Sequence, residues 1–282
     1  MDRLSLPSDI SEVVARALAE DLGSGDITAA LISPRTTLTA RVLAREPATL
    51  CGAAWFDEVF RQLDPAVTVD WLHTDGAVVA QNTVVCELNG PARSIVTGER
   101  TALNLLQTLS GTATATRRFA DALAGTATRV LDTRKTLPGL RQAQKYAVRC
   151  GGGVNHRIGL FDAVLIKENH IAAFGSLRET VRTAKHATPN ALIEVEVETL
   201  DQLAEALDTD ADRIMLDDFP LSALREAVAA RDAHPGKRKA LEASGGIGLE
   251  DLRLIAATGV DFVSVGAITK HLRAIDFSMR FV

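Results

Sequence analysis

Charged and polar residues follow a series of short apolar segments in the second half of the sequence. Lysine and arginine can bind phosphate or carboxylate groups, and carboxylates can bind a divalent cation. The residues at these segment ends are Asp132, Thr133, Arg134, Lys135, Lys167, Glu196, Asp217, Ser244, Gly245, Gly246 and Gly266. Because ligands of parallel α/β folds bind beyond the carboxyl ends of the strands, we expect these residues to converge on one pocket.

Basic residues are concentrated between Arg134 and His170. That segment holds seven lysines and arginines against two acidic residues, a net charge of +5 in a chain whose net charge is −5. The local excess predicts a pocket for an anion, whereas the acidic chain as a whole argues against a general nucleic-acid or anionic-membrane binder. For three of the basic residues we favour a solvated helix face, namely Arg141, Lys145 and Arg149.

Glutamates alternate with valines at Glu194, Glu196 and Glu198. Such alternation is typical of a half-exposed strand with an acidic outer face. In a parallel barrel both faces of a strand are buried, and a buried carboxylate needs a partner. We therefore expect Lys135 and Lys167 to pair with these carboxylates.

Two motifs at predicted strand ends add binding groups. In the motif at 217–220 we expect Asp218 to cap a helix, with Pro220 in its first turn, and Asp217 to belong to the site. The motif Ser244-Gly-Gly-Ile-Gly248 offers backbone N–H groups at a strand-to-helix junction, which suits a phosphate.

A third motif lies in the basic segment, where Gly151-Gly-Gly153 precedes His156 and Arg157. A single histidine is more often structural than functional. Beside Arg157 and the other cations, we favour anion binding for His156.

The elements that would position these residues alternate after Gly125 between strand-like and helical patterns. Six strands are predicted, at 128–132, 161–166, 191–197, 212–216, 239–243 and 261–265. Helices are predicted between them, at 138–149, 176–187, 200–207, 221–231 and 248–257. This alternation implies parallel pairing, and six or seven strands without a GxGxxG motif favour a closed or incomplete α/β barrel over an open sheet.

The residues before Gly125 predict a smaller mixed α/β unit. Its predicted elements are a helix at 8–21 capped by Ser8 or Asp9, strands at 38–44, 67–72 and 84–88, and a helix at 53–63. From Ile95 to Leu123 the pattern is helical, with an interruption expected at Gly111. We expect an N-terminal domain at 1–110, a barrel domain at 111–270 and a tail at 271–282 that packs back on the first domain.

Composition indicates an ordinary globular protein, with 46% apolar and 24% charged residues among 282. Cys51, Cys86 and Cys150 lack metal-ligand spacing and suit small buried hydrophobes in a reducing compartment. No segment approaches the ~18 uncharged apolar residues of a membrane span, and the N-terminus has no signal-peptide pattern. We expect a cytoplasmic protein without nucleic-acid or membrane partners.

Much of the sequence resembles the quinolinate phosphoribosyltransferase family. The longest matching block is DTRKTLPGLRQAQKYAVRCGGGVNHRIGLFDAVLIKENHI at 132–171. Shorter blocks are EDLGSGDIT (20–28), GERTALNLLQTLSGTAT (98–114), EVEVET (194–199), MLDDF (215–219), LEASGGI (241–247) and SVGAIT (264–269). The departures are an aspartate in MLDDF where asparagine is common, and GDITAAL in place of a usual GDxTT.

The resemblance implies an α/β fold with an N-terminal α/β sandwich and a C-terminal incomplete α/β barrel of six to seven strands. It also implies a Mg²⁺-dependent transfer of the phosphoribosyl group of phosphoribosyl pyrophosphate to quinolinate. The products would be nicotinate mononucleotide, pyrophosphate and carbon dioxide. A homodimer is implied too, in which an arginine of one protomer completes the site of its partner, and a higher oligomer stays open.

Matched position by position, the family's functional groups fall on residues of this chain. The arginine that reaches the partner's site falls on Arg100, and the binders of the substrate carboxylates fall on Arg134, His156 and Arg157. The catalytic lysines and acids fall on Lys135, Lys167, Glu196 and Asp217, of which the two acids would also hold Mg²⁺, directly or through water. The remaining substrate-binding positions are Thr133, Ala243, Ser244, Gly245, Ser264, Val265 and Gly266.

Two other functions stay open on the sequence alone. A Schiff-base aldolase could use Lys167 if the amine were desolvated at the end of its strand. A non-enzymatic protein for an oxyanion such as molybdate could use the same cations, because relatives associated with molybdenum transport share parts of the pattern. The matched arginines and the two acids exceed what an imine mechanism requires, which favours the transferase.

Overall fold

A computed structural model of the chain describes residues 4–282. The chain forms two compact units, each built from separate segments. The first unit contains the residues up to Arg117, Thr136–Gly152 and Ala267–Val282, and the second contains Arg118–Lys135 and Gly153–Gly266. The predicted domain range 111–270 differs from the second unit, because residues 111–117, 136–152 and 267–270 group with the first.

The elements are numbered in chain order. Those of the first half are α1 (Ile10–Leu22), a 3-10 helix (Ala29–Leu31), β1 (Thr37–Ala44), β2 (Ala48–Thr49), α2 (Ala53–Leu63), β3 (Thr68–Trp71), β4 (Val78–Val79), β5 (Val84–Pro91) and α3 (Ala92–Ala122). Those of the second half are β6 (Arg129–Leu131), α4 (Arg141–Cys150), β7 (Ala163–Ile166), α5 (Glu168–Phe174), α6 (Leu177–Ala187), β8 (Leu192–Val197), α7 (Leu200–Leu207), β9 (Arg213–Asp217), α8 (Leu221–Ala233), β10 (Ala240–Ser244), α9 (Leu252–Ala256), β11 (Phe262–Ser264), α10 (Ala267–Lys270) and β12 (Phe277–Phe281).

The first unit is built on an antiparallel sheet with the strand order β12-β1-β5-β3. β12 pairs with β1 from Ala40↔Phe281 to Ala44↔Phe277, so the end of the chain completes this sheet. Aromatic residues of α2 and leucines of α3 are buried in the core of the same unit. The apolar stripe predicted for α3, which contains Leu103, Leu106 and Leu109, lies in this core.

Helix α3 continues through Gly111, so the interruption expected there is wrong. A Cβ atom at Gly111 would lie 2.3 Å from the carbonyl oxygen of Arg273. Glycine therefore allows the backbone of Arg273 to lie directly against the helix.

The solvated helix face predicted for Lys145 is wrong, because this residue of α4 is only 2% exposed.

The second unit is built on six parallel strands in the order β6-β11-β10-β9-β8-β7. All six predicted strands are confirmed, and helices alternate with them. Within residues 4–282, β6 and β7 do not pair with each other, and an isolated bridge joins Leu131 to Val154 beside β6. The barrel is therefore incomplete rather than closed.

Predictions about two helix starts in the second unit are wrong. Helix α8 has Pro220 at its N-cap without a side-chain cap, so the role of cap predicted for Asp218 is wrong. Asp218 instead has φ 54° and donates its N–H to the carbonyl oxygen of Ser244 at 3.0 Å. Helix α9 begins at Leu252, so the glycine motif at 244–248 lies before the helix rather than at its first turn.

None of the helices in residues 4–282 combines the length and apolar composition that a membrane span requires.

Candidate active site

A cavity of about 310 Å³, called here the site cavity, lies at the carboxyl ends of the strands of the second unit. Its lining residues are Thr133, Arg134, Lys135, His156, Arg157, Leu165, Lys167, Glu196, Met215, Asp217, Glu242, Ser244 and Ser264. All of them were predicted as site residues except Leu165, Met215 and Glu242. Strand order explains the convergence, because parallel strands bring their carboxyl ends to one edge.

Other predicted site residues lie outside this lining. Ala243 and Gly245 line an adjacent cavity of about 300 Å³, and Ser244 lines both cavities. Val265 is buried and donates its N–H to the carbonyl oxygen of Leu131 at 2.9 Å. Gly266 lies beside the aliphatic part of the Lys135 side chain, since a Cβ atom at Gly266 would lie 3.0 Å from Lys135 Cδ.

Arg100 lies on α3 in the first unit, where its side chain is exposed. Its role in the site of a partner protomer stays a prediction.

Lys167 and Glu196 form an ion pair at the edge of the site cavity. Lys167 Nζ lies 2.5 Å from Glu196 Oε2, and the lysine side chain is 42% exposed. The backbone N–H of Lys167 donates to His170 Nδ1 at 3.0 Å, which ties the end of β7 to the first turn of α5. The pairing predicted for the alternating glutamates is thus confirmed for Glu196.

Asp132 holds the loop that carries His156 and Arg157. Its buried carboxylate accepts the backbone N–H of His156 at 2.8 Å and an amide N–H of Asn155 at 2.6 Å. The backbone of Val154 exchanges hydrogen bonds with Val130 and Asp132, so the loop continues the edge of the sheet at β6. Asp132 was visible in the sequence as a polar strand end, but its supporting contacts depend on the loop's return to that strand.

Two guanidinium groups lie close together in the site cavity. Burial first, and then the charge of Arg134, lower the pKa of Arg157. Arg134 Nε is buried and makes no hydrogen bond with any residue in the described range. Neighbouring like charges and a buried donor without a partner both favour a bound anion, since an anion would neutralise the charges and accept the donor.

Glu194 and Glu242, called here the glutamate pair, lie beneath His156. Both are almost fully buried. Burial first, and then the Glu194 charge, raise the pKa of Glu242 to about 8, and burial also raises the pKa of Glu194. The lysine partner predicted for Glu194 is wrong, because its cationic neighbour is Arg213 on the adjacent strand.

Glu196 and Asp217 are the residues best suited to hold a divalent cation. Both offer carboxylate oxygens to the site cavity, and Mg²⁺ prefers one or two carboxylates together with substrate phosphates. Two other groups of possible ligands fit a metal less well. His156, Glu194 and Glu242 lie within 4.8 Å of one another, but the Arg213 guanidinium lies 3.2 Å from Glu242 and would repel a cation.

The second group consists of Cys51, Asp75 and Cys150 in the first unit. The Asp75 carboxylate already accepts hydrogen bonds from the backbone N–H groups of Gly52 and Ala53 and from the hydroxyl of Tyr146. Burial raises the pKa of Cys51, which opposes the thiolate that a metal needs.

Family models match nearly the whole chain. The quinolinate phosphoribosyl transferase N-terminal domain matches residues 26–110, and the C-terminal domain of the same family matches residues 112–280.

Relatives of similar length agree with these models. A probable nicotinate-nucleotide pyrophosphorylase [carboxylating] of Bacillus subtilis is 42% identical over 261 residues, which cover 92% of this chain and 89% of the relative. The nicotinate-nucleotide pyrophosphorylase [carboxylating] of Mycobacterium leprae is 42% identical over 275 residues, 95% of each chain. Among solved structures, the nicotinate-nucleotide pyrophosphorylase from Francisella tularensis superimposes with a TM-score of 0.95 at 48% identity, covering 100% of both chains.

Proposed function

The chain belongs to the quinolinate phosphoribosyl transferase family, and we propose on this premise that its reaction takes place in the site cavity. The chain transfers the phosphoribosyl group of phosphoribosyl pyrophosphate to quinolinate with decarboxylation. The products are nicotinate mononucleotide, pyrophosphate and carbon dioxide, which makes it an enzyme of de novo NAD biosynthesis. This location of the reaction rests on one observation. A single cavity is lined by paired guanidinium groups and by residues from four strand ends, namely Lys135, Lys167, Glu196 and Asp217.

Arginine side chains hold the two carboxylates of quinolinate. Arg134 and Arg157 line the site cavity, and a guanidinium can bind a carboxylate through two parallel hydrogen bonds. Arg100 of the partner subunit adds a third cation, so the active enzyme is a homodimer. Orientation of the ring nitrogen toward the ribose then accounts for much of the rate.

Transfer breaks the bond between C1 of the ribose and the pyrophosphate oxygen and forms a bond from C1 to the quinolinate nitrogen. Lys135 and Lys167 neutralise the charge that develops on the leaving pyrophosphate. Glu196 and Asp217 lie near the ribose and stabilise its oxocarbenium character. The backbone at 243–245 and at 264–266 binds the phosphate of the phosphoribosyl group.

Decarboxylation needs no covalent nucleophile from the protein. Once the ring nitrogen is alkylated it carries a positive charge, and loss of the neighbouring carboxylate leaves a carbanion beside that charge. The electron pair of the broken C–C bond stays on the ring carbon, which then takes a proton from solvent.

Glu196 and Asp217 would hold Mg²⁺, directly or through water. The ion, when bound, adds positive charge at the phosphate oxygens of phosphoribosyl pyrophosphate. The support for this proposal is the chemistry of the two carboxylates that the site cavity presents.

The decisive experiment incubates the protein with quinolinate, phosphoribosyl pyrophosphate and Mg²⁺ and measures nicotinate mononucleotide, with nicotinate in place of quinolinate as the control. Product from nicotinate alone would overturn the assignment of the substrate. Tight oxyanion binding without release of pyrophosphate would support the binding-protein alternative. The aldolase alternative would require Lys167 to leave its ion pair with Glu196.

Mixing two inactive variants tests the dimer. If Arg100 acts in the partner's site, Arg100→Ala mixed with Lys135→Ala restores part of the activity, because one site of each heterodimer then lacks neither side chain. If a mixture that is shown to exchange protomers recovers no activity, the proposal of a shared site is refuted.

The proposal also includes a cytoplasmic location, which the three free, buried cysteines support.

A further inference from the structure

Two acidic side chains beneath the site cavity are not used by the proposed mechanism. Glu194 on β8 is 1% exposed and Glu242 on β10 is 0% exposed. Burying two carboxyl groups is unfavourable unless their charge and hydrogen bonds are satisfied. Their neighbours therefore indicate what the glutamate pair does.

The neighbour toward the site cavity is the imidazole of His156. Its Nε2 lies 2.9 Å from Glu194 Oε2 and 3.6 Å from Glu242 Oε2. Its Nδ1 accepts the backbone N–H of Arg157 at 2.8 Å, which places the ring proton on Nε2, facing the carboxyl groups. Nε2 faces the two carboxyl groups and Nδ1 faces the backbone of Arg157, so the ring lies between the glutamate pair and Arg157.

The neighbour on the opposite side is Arg213 of β9. Its guanidinium lies 3.2 Å from Glu242 Oε2 and 3.9 Å from Glu194 Oε2, and it stacks over the ring of Phe262 at 4.5 Å. Because β8, β9 and β10 are hydrogen-bonded neighbours, these three side chains are fixed by adjacent strands. Side chains on adjacent strands can hold a loop more accurately than another loop could.

We propose that Glu194 and Glu242 are positioning residues for quinolinate, which act through His156 to hold Arg157 in the orientation that binds a substrate carboxylate. The inference rests on the proposed function, because it takes quinolinate as the ligand of Arg157. His156 supports Arg157 through Nδ1, which accepts the backbone N–H of Arg157. Among the lysines and acids assigned to phosphoribosyl pyrophosphate, Lys135, Lys167 and Asp217 lie at other strand ends. Glu196 shares β8 with Glu194, but its carboxylate pairs with Lys167.

Glu194→Gln tests this role, because the change keeps the size of the side chain and removes the carboxyl group that faces Nε2. We expect the KM for quinolinate to rise by about tenfold or more, while the KM for phosphoribosyl pyrophosphate stays within about twofold. Glu226→Gln on α8 is the control, since it makes the same chemical change at an exposed position and should leave both constants unchanged. An unchanged KM for quinolinate, or an equal rise in both constants, would overturn the proposal.

A second position keeps the test decisive if Glu194→Gln does not fold, as judged by circular dichroism. Glu242→Leu removes the carboxyl group that lies beside Glu194 and accepts a hydrogen bond from Arg213, and it should also raise the KM for quinolinate selectively. Glu242→Gln keeps a donor for Glu194 and an acceptor for Arg213, so it should restore most of the affinity lost in Glu242→Leu. Absence of this rescue would count against a positioning role.

The activity of the wild-type protein distinguishes a failure of the proposed function from a failure of the positioning role. If it forms no nicotinate mononucleotide, the proposed function fails before any variant is compared. If it is active and the glutamate variants keep its KM for quinolinate, the positioning role alone is refuted.

Discussion

Gly266→Ala offers a direct test of whether the position of Lys135 limits the reaction. A Cβ atom at Gly266 would lie 3.0 Å from Lys135 Cδ and 3.5 Å from Thr133 Oγ1. Carbon atoms in contact normally lie ~3.5–4.0 Å apart, so the lysine stem must move by roughly 0.5 Å. Since a displacement of about 1 Å can lower a rate by about a hundredfold, we expect kcat/KM for phosphoribosyl pyrophosphate to fall by about tenfold.

The fold should tolerate this substitution. Gly266 does not have the positive φ that disfavours other residues, and its nearest neighbour is a flexible side chain. The melting temperature should therefore stay close to the wild-type value. Gly236→Ala is the matched control, because its Cβ atom would lie 2.9 Å from a ring carbon of His234 in an exposed loop. That variant should keep the wild-type kinetics.

A double-mutant cycle shows whether the effect passes through Lys135. Lys135→Ala alone should lower kcat by about 10²–10³, as expected when a group that stabilises developing charge is removed. In that background Gly266→Ala should add almost nothing, because the side chain that it displaces is gone. Equal losses in both backgrounds, or wild-type kinetics for Gly266→Ala, would refute the reasoning.

Three further outcomes are expected. Arg134→Lys, which replaces a bidentate group by a point charge, should raise the KM for quinolinate about tenfold, and an unchanged KM in steady-state kinetics would contradict a guanidinium–carboxylate contact. Chelation of divalent cations should abolish product formation and Mg²⁺ should restore it, so full activity after dialysis against EDTA would exclude the metal. Gly111→Ala should lower the free energy of unfolding in urea by about 1–3 kcal/mol, despite ~1 kcal/mol of better helix propensity, because its Cβ atom meets the backbone of Arg273. Asn104→Ala, at an exposed position of the same helix, should not lower it.

The parallel strands and most of the residues at their ends could be predicted from the sequence alone. Short apolar segments that alternate with helical ones have few possible arrangements besides a parallel sheet covered by helices. Such a sheet brings the carboxyl ends of its strands to one edge. This is why the sequence predicts that Lys167 and Asp217, separated by some fifty residues, lie in one site.

The contacts of individual side chains could not be predicted in the same way. The alternation at β8 indicates that Glu194 is buried, but its neighbours depend on the register that sets β8 beside β9 and brings Glu242 from β10. The continuity of α3 at Gly111 likewise depends on Arg273, far along the chain. A local sequence pattern reveals the periodicity of a strand or helix, but it does not identify which distant residues that element contacts.

The pairing of β12 with β1 has a consequence for synthesis of the protein. β12 leaves the ribosome some 240 residues after β1, so the edge of β1 that it covers stays unpaired while the intervening residues are made. An exposed edge can pair with other chains, and contacts between distant residues form slowly. Truncation from the carboxyl terminus would therefore leave the nascent N-terminal sheet open to aggregation, even though every residue of the barrel strands had been made.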